Sequence, residues 1–488
     1  MSTEAIPEEQ FLREFTKKLH SRNAAAFIGA GFSMSAGYVN WQELLKDVVT
    51  DLGLDPKKEH DLVSVAQYSV NKADGKKHGL TETILHNIGI AKKPTKGHRI
   101  LANLPIHTFW TTNYDKLIET SLKEAKKVPD VKHTLDQLST TQPDRDVIVY
   151  KMHGDVDHAA NAVISKDDYE RYPFKMGQFA SLLKGDLIKK TVLFVGFSFT
   201  DPNIDFILSR VRAVLGKNQR EHYCIQKKIT RWEKEKKKDF EYRQLKQDYF
   251  IRDLKRKNIQ TVEVDTYDDI PLLLEKVATR FKRSSIFVSG AAVEFGAWDS
   301  NEADSFLHDL GAALSAQKNR IITGLGVGIG GPIINGALEL LDSEGVAISE
   351  DRLMMRPFPH TASGKAASKG RWTSYRRSMI EHAGVALFAF GNKRDASGKI
   401  VESDGMREEF DLCVASGVVP IPIGATGYMA ETLWSEVHGR FAHFFPKASV
   451  SLRKSFKAIG DRSTPPTKLK EEILKVVQHL QRGSNHGN

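Results

Sequence analysis

Four short tracts carry residue types suited to holding a nucleotide and moving a proton, and each follows a run of apolar residues. In Phe27-Ile28-Gly29-Ala30-Gly31-Phe32-Ser33, small residues stand where a strand would turn into a helix. Such a turn lets backbone N–H groups at a helix N-terminus approach a pyrophosphate. The Gly-x-Gly-x-x-Gly dinucleotide fingerprint is absent, so Gly29, Ala30 and Gly31 read equally well as a tightly packed turn. Thr111-Thr112-Asn113-Tyr114-Asp115 offers an amide, Asn113, and a carboxylate, Asp115, able to hold a ribose or orient a water. Capping of a helix that begins at Tyr114 is the competing account. His153-Gly154-Asp155 places a titratable imidazole beside a glycine that permits close approach. Gly196-Phe197-Ser198-Phe199-Thr200-Asp201-Pro202-Asn203 supplies hydroxyls and a carboxylate suited to a ribose or phosphate, or simply an Asp201 cap before Pro202 at the first helical position.

The C-terminal half repeats the pattern with different residues. Thr323-Gly324-Leu325-Gly326-Val327-Gly328-Ile329-Gly330-Gly331-Pro332 joins an apolar run to a helix start and offers backbone donors for a phosphate. No Gly-Lys-Ser/Thr follows, so this is not a Walker loop. Ser289-Gly290 ends another apolar run, and Arg376, Arg377 and Lys393 add positive charge near further strand ends.

The elements that position these tracts are read from periodicity. Short apolar runs alternate with amphipathic stretches throughout, which predicts an α/β protein with two Rossmann-like domains and parallel sheets. The first series has strands at 24–28, 108–112, 147–152, 191–196 and about 261–264. The second has strands at 286–289, 320–323, 352–356, 385–390 and 418–423. A boundary near Arg283 gives domains 1–283 and 284–488, and the Ser-, Ala-, Gly- and Lys-rich tract 361–369 reads as a loop. At ~100 to 200 residues per domain, 488 residues hold more than one unit.

Composition narrows the class. Two cysteines, Cys224 and Cys413, cannot build a disulfide framework or a four-thiolate zinc site. No stretch approaches the ~18 uninterrupted apolar residues of a membrane helix, and the acidic N-terminus is unlike a signal peptide, so a cytoplasmic location away from membranes is expected. The net charge of +10 is concentrated between Lys227 and Lys257, where 13 Lys or Arg meet 6 Asp or Glu. Apolar residues recur there about once per helical turn, as on a solvated amphipathic helix pair, and a nucleic-acid surface is the lesser reading.

The order Gly29-Ala30-Gly31-Phe32-Ser33, Thr111-Thr112-Asn113-Tyr114-Asp115, His153-Gly154, Gly196-Phe197-Ser198 resembles the sirtuin series. That resemblance implies NAD+ as substrate, contacts from Gly29, Ala30, Gly31, Ser33, Asp115, Gly196 and Ser198, and catalytic roles for Asn113 and for His153 as general base. The two Cys-x-x-Cys pairs of sirtuin deacylases are missing, as is their Phe-Arg dipeptide after Gly37, so metal-free hydrolysis of NAD+ is expected in place of deacylation.

The second half resembles the SLOG nucleotide-sensing domain. The combined chain, with Tyr375-Arg376-Arg377, Gly391-Asn392-Lys393 and Glu409-Phe410, resembles the effector family of the Thoeris anti-phage system. This implies a cyclic ADP-ribose isomer as activator, made by a TIR-domain partner, and a homotetramer or filament as the working assembly. Messenger contacts carried over by motif and by strand-end position are Ser289, Gly290, Gly324, Gly326, Gly328, Arg376, Lys393 and Glu409. A non-catalytic nucleotide sensor is the alternative from a different class; a zinc-free deacylase is a weaker one.

Overall fold

A computed structural model describes residues 4–357, 369–446 and 448–482. The tract 361–368, read above as a loop, lies outside the described residues. The chain divides into two compact units, Met1–Ala278 and Thr279–Asn488.

The first unit is built on seven strands: β1 (Ala24–Ile28), β2 (Thr108–Thr111), β3 (Pro129–Lys132), β4 (Val147–Lys151), β5 (Thr191–Val195), β6 (His222–Lys227) and β7 (Ile259–Val264). They form one sheet in the order β3-β4-β2-β1-β5-β6-β7, and every pairing is parallel. All five residues of β1 and all five of β5 are buried, as expected for central strands covered on both faces. The chain leaves β1 toward β2 and β4 on one side, then returns to β5 on the other. The connections after β1 and β5 therefore run in opposite directions from this switch point, and at the carboxyl edge of such a point open α/β sheets leave a crevice.

Between β1 and β2 the chain runs through short helices, among them Trp41–Leu44, Lys46–Asp51, Leu62–Lys72 and His78–Ile88. Their apolar faces form a separate cluster that includes Leu45, Val49, Val65 and Ile84 and packs on Tyr114 and Val156. The basic segment differs from the helix pair expected: β6 takes its start, residues 228–236 form a connection, and a single helix, Lys237–Arg256, follows. Ile251 and Leu254 are buried on it, while Tyr242, Leu245 and Tyr249 are exposed.

The second unit contains β8 (Ser285–Ala291), β9 (Arg320–Thr323), β10 (Leu353–Met355), β11 (Val385–Phe390), β12 (Asn392–Arg394), β13 (Ile400–Glu402) and β14 (Val419–Pro422). Five of these make a parallel sheet in the order β10-β9-β8-β11-β14, while β12 and β13 form an antiparallel ribbon. Here too the order reverses beside the first strand, between β8 and β11.

Candidate active site

The loops after β1 and β5 interlock through backbone. The Gly31 N–H donates to the Gly196 carbonyl at 2.9 Å, and the Gly29 N–H donates to Val195 at 3.0 Å. Gly196 has φ +64°, and a Cβ there would lie 2.2 Å from the Phe32 nitrogen. A side chain at that position would force the loops apart. The N–H groups of Gly29 and Gly31 thus serve this junction, while Ala30 and Gly31 also face the adjoining cavity.

That cavity, about 1340 Å³, opens at the crevice. Of the residues expected to bind the substrate or act on it, Ala30, Gly31, Ser33, Asn113, Asp115, His153, Gly196 and Ser198 line it; Gly29 stands behind them. The wall opposite the sheet comes from the helical insert, with Trp41, Leu62 and Ser64 among its residues. Sequence reading missed this wall, although Asn40 and Glu43 form a capping box that marks its first helix.

Three of the expected residues form one relay. Ser33 Oγ donates to Asp115 Oδ2 at 2.7 Å and accepts from Asn113 Nδ2 at 2.9 Å. A carboxylate only accepts, so the hydroxyl proton must point to Asp115 and the amide N–H must come to Ser33. This leaves Asn113 Oδ1 as a buried acceptor with no protein partner. Asp115 Oδ1 meanwhile accepts from the Leu117 N–H, the first residue of the helix Leu117–Glu124. Asp115 thus stands just ahead of the cap residue Lys116 of a helix that starts later than Tyr114, holds its first N–H, and still lines the cavity.

Below the relay lies Lys151, fully buried at the end of β4. Its ammonium donates to the carbonyls of Tyr114 and Asp115 at 3.1 and 2.6 Å, and to Glu119 and Asp155 at 3.0 and 2.5 Å. Burial opposes its charge, but Glu119 and Asp155 outweigh burial and hold the lysine above its ordinary value. It ties the Asn113 loop to the end of β4, two residues before His153.

His153 is buried, and neither ring nitrogen makes a protein hydrogen bond. Its Nε2 lies 3.1 Å from Asp201 Oδ2, within ion-pair range, with the ring N–H out of line. Tyr169 and Tyr172 pack edge-on at 5.6 and 6.3 Å between ring centres. Asp201 also caps the helix Pro202–Leu215, its Oδ1 accepting from the Ile204 N–H at 3.0 Å. Burial pushes the Asp201 carboxyl up, but the His153 ring, Ile204 and Tyr169 outweigh it and hold the group below its usual range. Ser198, by contrast, is exposed, and its hydroxyl bonds Thr200 at 2.7 Å.

In the second unit, Ser289, Arg376 and Glu409 come together. Ser289 Oγ donates to Glu409 Oε2 at 2.6 Å, and Arg376 reaches Glu409 at 3.2 Å and Glu408 at 2.7 Å. Lys393, on β12, pairs with Asp404. A Cβ on the adjoining Gly405 would come within 2.7 Å of an Arg376 nitrogen, so the two ion pairs are neighbours. Gly326 and Gly290 meet back to back, a Cβ on the former falling 1.9 Å from the latter's carbonyl oxygen. Gly328, at φ +72°, abuts Ala292, and Gly324 is buried at the end of β9. Among the described residues no cluster of three or more His, Cys, Asp or Glu side chains could hold a metal ion, and no helix is long and apolar enough to cross a membrane. Cys224 and Cys413 are both buried and free.

Residues 107–254 match the family described as SIR2-like domain, and residues 269–480 match the Sir2- and TIR-associating SLOG family. Over 472 residues the chain is 44% identical to the NAD(+) hydrolase ThsA of Bacillus cereus (strain MSX-D12), covering 97% of this chain and 98% of that protein. It is 43% identical over 467 residues to the NAD(+) hydrolase ThsA of Acinetobacter baumannii (strain 532279), covering 95% and 97%. A more distant relative, defense-associated sirtuin 2 of Bacillus subtilis, is 28% identical over 210 residues, 41% of this chain and 20% of that protein.

Proposed function

The chain belongs to the family of the ThsA NAD(+) hydrolases, and on that premise we propose that its first unit hydrolyses NAD+ to ADP-ribose and nicotinamide. The observation that carries this reading is a pair of buried groups on one cavity, Asn113 Oδ1 and the His153 ring, that make no hydrogen bond within the protein. Buried polar groups without a partner are costly, and at a cavity wall they suit a ligand that completes them.

In the reaction the bond between ribose C1′ and the nicotinamide nitrogen breaks, and its electron pair leaves with nicotinamide. That base becomes neutral, so no acid is required. Water attacks C1′ of the oxocarbenium-like sugar, Asn113 orients the ribose and the water, and His153 takes the proton. Positioning and one base then do most of the catalysis.

The second unit acts as the switch. A cyclic ADP-ribose isomer, supplied by a TIR-domain partner, binds at Arg376, Lys393, Glu409 and Ser289 and turns on hydrolysis in a homotetramer or filament, depleting NAD+ during phage infection. The match to a Sir2- and TIR-associating family supports this reading. To move an idle enzyme from 1:99 to 99:1 in favour of the active state, the messenger must favour that state by about 5.5 kcal/mol.

The test is nicotinamide release from NAD+ by the purified chain, with and without a panel of cyclic ADP-ribose isomers. Release with one isomer alone is the expected outcome. NAD+ binding without release under every isomer would instead favour a non-catalytic sensor.

A further inference from the structure

We propose that Asp201 is the positioning residue of the base: its carboxylate holds the His153 ring so that Nε2 carries the proton and Nδ1 is the nitrogen that accepts one. This inference rests on the reading of His153 as the base in NAD+ cleavage.

Helix capping alone does not account for the geometry. Capping uses Oδ1, which takes the Ile204 N–H. Oδ2 turns the other way, 3.1 Å from His153 Nε2 and 3.2 Å from the Tyr169 hydroxyl. The Tyr169 hydroxyl donates, so a second donor can share the same oxygen. The backbone around the ring is fixed from two sides: the Val163 N–H donates to the His153 carbonyl at 2.9 Å, and the Tyr172 hydroxyl donates to the Met152 carbonyl at 3.2 Å. What remains adjustable is the ring torsion, and the group within reach of Nε2 is the Asp201 carboxylate. Catalytic hydrogen bonds are often out of line before substrate binds and tighten afterwards.

The choice of nitrogen matters because neutral imidazole has one donor and one acceptor, and the partner of one nitrogen decides which. A carboxylate only accepts, so it selects the tautomer with the proton on Nε2. It also stabilises the imidazolium formed when Nδ1 takes the proton from the attacking water. The other groups near the ring are Tyr169 and Tyr172, from the helix Lys166–Lys175, with Tyr114, from the loop after β2, hydrogen-bonded to the Val163 carbonyl. Burial raises all three phenols well above their ordinary value, so they stay neutral at working pH, and Asp201 is the carboxylate in ion-pair range of the ring.

The experiment compares Asp201→Asn and Asp201→Ser with the wild-type full-length chain, using NAD+ as substrate, the isomer panel above as activator and released nicotinamide as readout from acid to alkaline pH. Asn and Ser are both good N-caps, so the helix start survives in each variant. Thermal melting checks this. The positioning role predicts that kcat falls by about 10- to 100-fold in both variants while KM changes little. It also predicts that His153→Ala costs less in the Asp201→Asn background than in the wild type, because the two residues act as a unit. Wild-type kcat in both variants would show that Asp201 is a cap and nothing more, and would overturn the proposal. If His153→Ala is inactive in the same assay, that failure belongs to Asp201 alone; if His153→Ala cleaves NAD+ like the wild type, the reading of the base fails and this inference with it.

Discussion

The two parallel sheets resemble each other in design and differ in how they treat their polar residues. In both, the strand order reverses beside the first strand, and glycines at the strand ends let loops close on one another. At the first unit's cavity, Asn113 Oδ1 and His153 Nδ1 are left without a protein partner, while His153 Nε2 stands 3.1 Å from Asp201. In the second unit, Arg376 is paired with Glu408 and Glu409, Ser289 with Glu409, and Lys393 with Asp404. Groups kept unpaired are ready for chemistry as soon as substrate arrives. Charges already satisfied by each other must exchange partners to take an anionic ligand, and such an exchange can separate two states. The first arrangement fits a reaction centre and the second fits a switch.

The strongest way to break this contrast is to remove the unpaired groups. His153→Ala and Asn113→Ala should each lower NAD+ cleavage by about 100-fold or more, measured as nicotinamide release with activator present. Asn113→Ala also loses the amide bond to Ser33, and His153→Ala leaves the buried Asp201 carboxylate without its ion-pair partner, so both variants should melt somewhat lower and cleavage is read below each melting temperature. Wild-type turnover in either variant would remove that residue from the chemistry.

Arg376→Ala should act on activation instead. It removes the cation from a buried pair and leaves Glu409 buried without it, a loss on the order of 3 to 5 kcal/mol where a buried pair is broken. A lower melting temperature and loss of activation by the cyclic ADP-ribose isomer are both expected. Full activation at wild-type messenger concentrations would place the sensor elsewhere.

Ser33→Ala sharpens the account of the first unit. It deletes the hydroxyl between Asn113 and Asp115, so the amide loses its orientation while every group that touches the reacting atoms stays in place. A fall in kcat of about tenfold, near 1.4 kcal/mol, with a smaller change in KM, is the expected result of losing the hydroxyl that makes both bonds. An unchanged kcat would mean that packing alone aims the amide.

Much of this arrangement was legible in the sequence because its cues are local. Apolar runs ending in Gly29, Asn113, His153 and Gly196 placed those residues at the carboxyl edge of one parallel sheet, and parallel sheets gather ligands there. Other features were hidden because the cause is tertiary. Strand β3 carries Asp130 and Lys132 at buried positions, and they are tolerated because they pair with each other at 2.7 Å and Asp130 also meets Arg145 at 3.0 Å. Read as a pattern, that strand looks like a polar loop. Asp201 showed its capping role through the following proline, but its second oxygen faces a histidine from the turn after β4, which spacing cannot reveal. In the basic segment, Arg243 lies over the Trp232 ring at 3.8 Å and is held by Glu235, so a run that suggested two helices became a turn folded against one.

The smallest effect expected concerns proton binding at the switch. Burial raises the Glu409 carboxyl above its ordinary value, with Ser289 and Arg376 opposing burial in part. In the folded chain Glu409 therefore binds its proton more tightly than in the unfolded chain. Stability from this group is greatest at low pH and declines as pH rises from the ordinary carboxylate value through the folded one. Glu409→Gln carries no charge to bury, and Glu408 remains to pair with Arg376. The melting temperature of the variant should accordingly gain on the wild type as pH rises through that window, by about 2 to 4 °C for each kcal/mol. Asp155 and Asp201 in the first unit are shifted the other way: burial opposes their charge, but Lys151 and His153 respectively outweigh it. Their contribution is present above the ordinary carboxylate value and is lost as pH falls through the folded value. Asp155→Asn should thus lose most, relative to wild type, near neutral pH and converge with it in acid. Opposite slopes for the two variants would show that the units store their charge differently; parallel slopes would remove the electrostatic half of the comparison.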